Sequence, residues 1–194
     1  MCTGNRFRSP LAEALLRSLS PEPLEVASLG LYDLGPVPAL DQALEAARGF
    51  DLDISEHRAR PLKGETLAEA DLVLGFERIH LAAAVVEAGA DRAKTFTLPE
   101  LVELLEAVEP PAGSEPADRI REALRRADSL RADLPPQRRL PEVPDPWGGS
   151  PDAYRAIGTQ VEELCRRLVS LLFDRPAARE EPGTASRPGS SPGR

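Results

Sequence analysis

The chain has 194 residues, a formal charge of −8 and a pI near 5.0, which suffices for one domain with a proper core and argues against a nucleic-acid partner. Its two cysteines, Cys2 and Cys165, exclude a disulfide framework and a zinc-type cluster, so no metal and no cofactor is expected. No run of about 18 apolar residues offers a membrane span. The polar start lacks a signal peptide's apolar segment, so a cytoplasmic location is expected.

In chain order, residues 1–9 form a polar loop that leads into a helix over 10–18, with Ala12, Leu15, Leu16 and Leu19 at helical spacing. Pro21 and Pro23 stop it. Residues 24–29 read as a short strand ending at Gly30. A helix is expected over 36–48, with Leu40, Ala43, Leu44 and Ala47 on one face and Gly49 as its stop. A loop-rich stretch, 50–67, precedes the compact apolar run 71–76, the mark of a strand buried on both faces. A helix over 78–88, a strand over 94–98 and a helix over 99–106 follow. After a linker at 109–116, Ile120, Ala123, Leu124, Ala127 and Leu130 mark another helix. Residues 133–146 hold Pro135, Pro136, Pro141, Pro144 and Pro146, and so form a stiff irregular loop. Tyr154, Ile157, Val161, Leu164, Leu168 and Leu172 mark a long final helix. The Pro-, Gly-, Ser- and Arg-rich residues 175–194 read as a disordered tail behind one folded domain of residues 1–174. Strands alternating with helices give an α/β domain, a parallel sheet with helices on both faces, with its ligand at the carboxyl ends of the strands.

The opening residues Cys2-Thr3-Gly4-Asn5-Arg6-Phe7-Arg8-Ser9-Pro10 carry the chemistry. A thiolate is the nucleophile, and loop amides with a helix N-terminus favour its anion. Gly4 permits close approach to a ligand, and Asn5 tolerates a left-handed backbone. Arg8 offers a planar fork matched to two phosphate oxygens. Ser9 can donate to the sulfur, and Pro10 suits the first helical position. The thiolate's attack on a phosphate ester also needs a proton donor for the leaving oxygen. The Pro144-Asp145-Pro146-Trp147 stretch presents an acid held between prolines; read alone, it is an ordinary Asp-Pro turn, and only beside the opening loop does it read as the acid.

The Cys-x5-Arg-Ser-Pro loop resembles the phosphate-binding signature of the low-molecular-weight protein tyrosine phosphatases. That family also includes bacterial protein-arginine phosphatases and arsenate reductases. The resemblance implies Cys2, Arg8 and Asp145 as catalytic residues, and Thr3, Gly4, Asn5, Arg6, Phe7 and Ser9 as the phosphate-binding loop. It places Trp147, after the Asp-Pro, at the pocket wall. Tyr32, after Ser28-Leu29-Gly30, is either a second wall or a half-buried core aromatic. His57, within 53–60, either braces the loop by holding Asn5 or belongs to a solvated polar loop. His80 receives no role. The implied substrates are phosphotyrosine or phosphoarginine in proteins, hydrolysed through a phosphocysteine by a monomer or weak dimer.

Several features depart from the family pattern. Phe7 stands where a second cysteine is usual, so oxidation of Cys2 lacks a neighbouring thiol to trap it. Cys165 lies mid-helix among apolar residues and reads as core, which places arsenate reduction last. Arg6 is a long cation at the position where family members carry small hydroxyl or aliphatic residues. In addition, only Met1 precedes Cys2, whereas the family pattern has a central strand there. Two expectations follow: an active phosphatase whose full chain starts upstream, or an inactive phosphate-binding relative. A hydrolase using Cys2 as an N-terminal nucleophile is a more distant third.

Overall fold

A computed structural model describes residues 1–111, 115–135 and 138–174. Pro136 and the tail expected at 175–194 lie outside the described residues.

The order is α1 (Arg8–Leu19), α2 (Asp41–Gly49), β1 (Val73–Gly75), α3 (Arg78–Ala88), β2 (Thr95–Thr97), α4 (Leu98–Ala107), α5 (Pro116–Asp133) and α6 (Pro151–Val169). A 3-10 turn over Arg92–Lys94 precedes β2, and α6 runs on into a π turn over Ser170–Asp174. β1 and β2 pair in parallel, with Val73 opposite Thr95 and Gly75 opposite Thr97. Successive residues of β1 point to opposite faces, as the pleat demands. Val73 joins a small cluster with Ala84 of α3, and Leu74 packs against the main core. The main core draws Leu11 and Leu15 from α1, Leu101 and Leu105 from α4, and Val161, Leu164 and Leu168 from α6. Helices therefore cover both faces of the small parallel sheet. Phe7 is buried in this core and meets the Tyr154 ring edge-on, with centroids 5.1 Å apart.

α4 starts with a capping box. Thr97 Oγ1 accepts from the Glu100 amide at 3.2 Å, and Glu100 Oε2 accepts from the Thr97 amide at 3.4 Å. Thr97 Oγ1 also donates to the Pro141 carbonyl at 2.7 Å, and the Val143 amide donates to the Phe76 carbonyl at 2.8 Å. These bonds fasten the proline-rich loop to the carboxyl ends of both strands.

Three expectations need correction. First, residues 24–29 form no strand. Their neighbourhood supplies only isolated parallel bridges, Cys2 with Gly30 and Gly30 with Pro61. An extended segment becomes a strand only where a neighbour offers its backbone groups, and this one borders a groove instead. Second, α1 begins at Arg8, so Pro10 is its third residue rather than its first. Proline is tolerated there because the first-turn amides lack intrahelical partners. Third, α2 begins at Asp41, because Pro38 bridges Arg58 in an antiparallel pair and Leu40 stays extended as the helix N-cap.

The groove holds about 680 Å³. Residues 23–29 and 71–76 line it, together with Ala12 and Leu16 of α1 and Leu168 and Leu172. The Met1 amine donates to the Leu74 carbonyl at its end.

Candidate active site

The loop over residues 2–8 hangs between two fixed ends. At its start, the Cys2 amide donates to the Leu29 carbonyl, and the Leu31 amide to the Cys2 carbonyl. At its finish, Arg8 and Ser9 already belong to the first turn of α1. Cys2 Sγ is buried and lies 3.0 Å from Ser9 Oγ.

Asn5 is the hinge of the loop. It is fully buried in the left-handed region at φ 51°, which asparagine enters more readily than other side chains. Its Nδ2 donates to Ser9 Oγ and Ser28 Oγ, both at 2.8 Å, and its Oδ1 accepts from the Arg60 amide at 2.8 Å. His57 Nε2 lies 2.7 Å from its carbonyl oxygen. Gly30 permits this closeness, since a Cβ there would stand 3.0 Å from Asn5 Cβ.

Arg8 is 1% exposed, and both of its Nη nitrogens are engaged. Nη1 donates to Glu77 Oε2 and to the Val143 carbonyl, both at 2.8 Å. Nη2 donates to Thr3 Oγ1 at 3.2 Å and to Asp145 Oδ2 at 2.5 Å. The guanidinium also lies over the Phe76 ring, 5.5 Å from its centroid.

The structure ties Cys2, Ser9, Asn5 and His57 into one hydrogen-bonded group and Thr3, Arg8 and Asp145 into a second, the two meeting where Arg8 precedes Ser9 in the chain. Asp145 keeps 35% of its side chain exposed, so it is open to a ligand at the mouth. Trp147 follows on the same loop, its amide 3.2 Å from Asp145 Oδ1 and its side chain 71% exposed. Tyr32 is tied to the loop by its amide, which donates to the Thr3 carbonyl at 2.9 Å, and is 59% exposed. Arg6 turns outward, its Nε donating to the Pro38 carbonyl at 2.9 Å. The Phe7 side chain leaves the site for the core, so only its backbone faces the loop. Cys165 is fully buried in α6, and burial pushes its pKa up.

Two residues of this cluster were missed in sequence. Glu77 and His80 open α3 and reach Arg8 and Thr3. A polar residue three positions before a histidine at a strand-to-helix junction is the signal that could have drawn attention to them.

Residues 1–127 match the family described as "Low molecular weight phosphotyrosine protein phosphatase". The chain belongs to this family. It is 31% identical over 176 residues to the protein-arginine-phosphatase of Bacillus subtilis (strain 168), spanning 89% of this chain and 93% of the relative. It is 30% identical over 172 residues to the low molecular weight protein-tyrosine-phosphatase Wzb of Salmonella typhi, spanning 89% and 91%. Among solved structures, a YwlE arginine phosphatase mutant with a phosphorylated active site serine superposes with a TM-score of 0.63 at 31% identity, over 90% of this chain and 94% of that one. The family member described here is thus a hydrolase of the protein phosphatase kind, with an α/β fold. No helix among the described residues is long and apolar enough to cross a membrane.

Proposed function

We propose that this phosphatase hydrolyses phosphorylated protein side chains through a phosphocysteine at Cys2. The observation that carries the reading is Cys2 Sγ held 3.0 Å from Ser9 Oγ, next in the chain to an Arg8 fork bonded to Asp145. In the first step the Cys2 thiolate attacks phosphorus and the bond to the leaving oxygen breaks, while Asp145 donates its proton to that oxygen. In the second, Asp145 takes a proton from water as the water attacks phosphorus and the P–S bond breaks, releasing phosphate and the thiolate. Arg8, Ser9, the Thr3 hydroxyl and the amides of Gly4, Asn5, Arg6 and Phe7 hold the oxyanion. His57 braces Asn5 from behind. The reaction needs no cofactor, and the enzyme works in the cytoplasm as a monomer or weak dimer.

Phosphotyrosine is the favoured substrate, because two exposed aromatics, Tyr32 and Trp147, flank the mouth and can stack on a phenyl ring. Arg6 adds a cation that suits an acidic peptide better than the guanidinium of phosphoarginine. Arsenate reduction lacks support, since it calls for a second accessible thiol and Cys165 is enclosed. The test compares turnover of phosphotyrosine and phosphoarginine peptides by the parent and by Cys2→Ser. Phosphotyrosine turnover that Cys2→Ser abolishes supports the reading. Preference for phosphoarginine overturns the substrate assignment, and turnover retained by Cys2→Ser overturns the mechanism.

The groove favours a second reading, in which the fold from Met1 onward binds phosphate but turns over poorly. Residues 24–28 make no backbone-to-backbone hydrogen bond among the described residues, and the far edge of β1 meets only the Met1 amine. The space between them suits one further parallel strand running into Cys2. Such a strand would pair with both edges and fix the loop's start, and about 6–10 residues rich in Val, Ile and Leu would fill it. Protein with that extension should gain both thermal stability and turnover over protein beginning at Met1. Equal stability and full activity of the shorter protein would refute this reading.

A further inference from the structure

Glu77 and His80 stand outside the roles assigned above, yet both touch the phosphate loop. His80 is fully buried on the first turn of α3. The Glu77 amide donates to its Nδ1 at 3.0 Å. Burial, aided by the positive charges of the Met1 amine and Arg8, pushes its pKa down to about 3 and keeps the ring neutral. A neutral imidazole that accepts at Nδ1 carries its proton on Nε2. That nitrogen lies 3.3 Å from Thr3 Oγ1 and so donates to it. Gly75 makes room for the ring, since a Cβ at that position would stand 2.9 Å from His80 Cβ and 2.8 Å from Leu81 Cδ2.

Thr3 Oγ1 thus accepts twice, from His80 Nε2 and from Arg8 Nη2 at 3.2 Å. A hydroxyl has two lone pairs and one proton. With both lone pairs engaged, the proton is turned away from His80 and Arg8 and is free for an anion. Glu77 Oε2 meanwhile holds the other arm of the fork through Arg8 Nη1 at 2.8 Å.

We propose that Glu77 and His80 are positioning residues that lock the Arg8 fork and make Thr3 a hydrogen-bond donor to the bound oxyanion. This rests on the phosphatase reading of the same loop. The alternative is that His80 only fills space beneath β1. The two differ in what they require of the side chain. Glutamine can accept from the Glu77 amide and donate to Thr3, whereas leucine fills similar volume and does neither.

The test measures vanadate binding by calorimetry, with turnover of an aryl phosphate alongside. His80→Leu should weaken vanadate binding about tenfold, and His80→Gln should stay within about threefold of the parent. In a Thr3→Val background, His80→Leu should add almost nothing, because its route to the anion is already cut. Equal losses for leucine and glutamine, or losses that multiply in the double variant, overturn the proposal. If His80→Leu fails to fold, nitrogen-15 NMR of the parent's imidazole decides. A neutral Nε2–H tautomer supports the brace, and an Nδ1–H tautomer overturns it. Cys2→Ser separates this proposal from the reading beneath it. Turnover retained by that variant sinks the phosphocysteine mechanism, while the vanadate cycle still judges the brace.

Discussion

Arg8 Nη2 and Asp145 Oδ2 lie 2.5 Å apart, joining the first turn of α1 to the proline-rich loop before α6. One pair thereby ties the proposed acid to the arginine that closes the nucleophile's loop. The backbone shares the task, since Arg8 Nη1 donates to the Val143 carbonyl two residues before the acid. The loop is therefore held at two points near Asp145 rather than swinging free.

Asp145→Ala should slow substrates with poor leaving groups more than those with good ones, because only the former need the proton. The loss on phosphotyrosine should be roughly 100- to 10,000-fold, in the range of a general acid. Steady-state kinetics on phosphotyrosine and an activated aryl ester check this. Equal losses on both would remove Asp145 from the acid role.

Asn5 joins strain to bonding, so its variants should rank in a definite order. Asn5→Gly relieves the left-handed backbone but leaves Ser9, Ser28 and the Arg60 amide without their partner. Asn5→Ala loses the same bonds and keeps the strain. Both should be less stable than the parent by roughly 1–3 kcal/mol or more. Alanine should fall below glycine by about 1–2 kcal/mol. Chemical denaturation measures the order, and alanine proving the more stable would contradict it.

Stability should rise with pH across the window set by His80. Its pKa drops from 6.5 to about 3 on folding, so between those values the unfolded chain binds a proton that the folded chain refuses. The contribution is complete above about 6.5 and is lost as pH falls toward 3, at about 1.4 kcal/mol per unit of displacement. The Met1 amine, lowered from 8.0 to about 6 mainly by burial, extends the same slope upward in protein that begins at Met1. Denaturation midpoints should therefore climb with pH, and His80→Gln should flatten the acidic part. An unchanged slope in that variant would contradict this account of His80.

How much could be read from the sequence depended on whether the cause was local. The helix expected over 78–88 coincides with α3, and the apolar run 71–76 contains β1, because both are marked by their own local composition. The family's loop signature is legible because Cys2 to Pro10 sit together in sequence. What lay beyond reach was pairing between distant segments. Residues 24–29 have strand-like composition, but pairing depends on which backbone lies alongside. The tie between Glu77 and Arg8 spans 69 positions, and no helical or strand period connects them. His80 looked like any histidine on a helix, and only the fold brings its ring beneath Thr3.

The central claim, a phosphocysteine at Cys2, has a direct measurement. The protein is mixed with a phosphotyrosine substrate, quenched in acid within a turnover, digested, and its peptides are mapped by mass spectrometry. The account predicts phosphate on the peptide bearing Cys2, its level rising in Asp145→Ala if the release step is slowed more than the attack, and none in Cys165 peptides. Sustained turnover with no phosphate on Cys2 in either protein would contradict it.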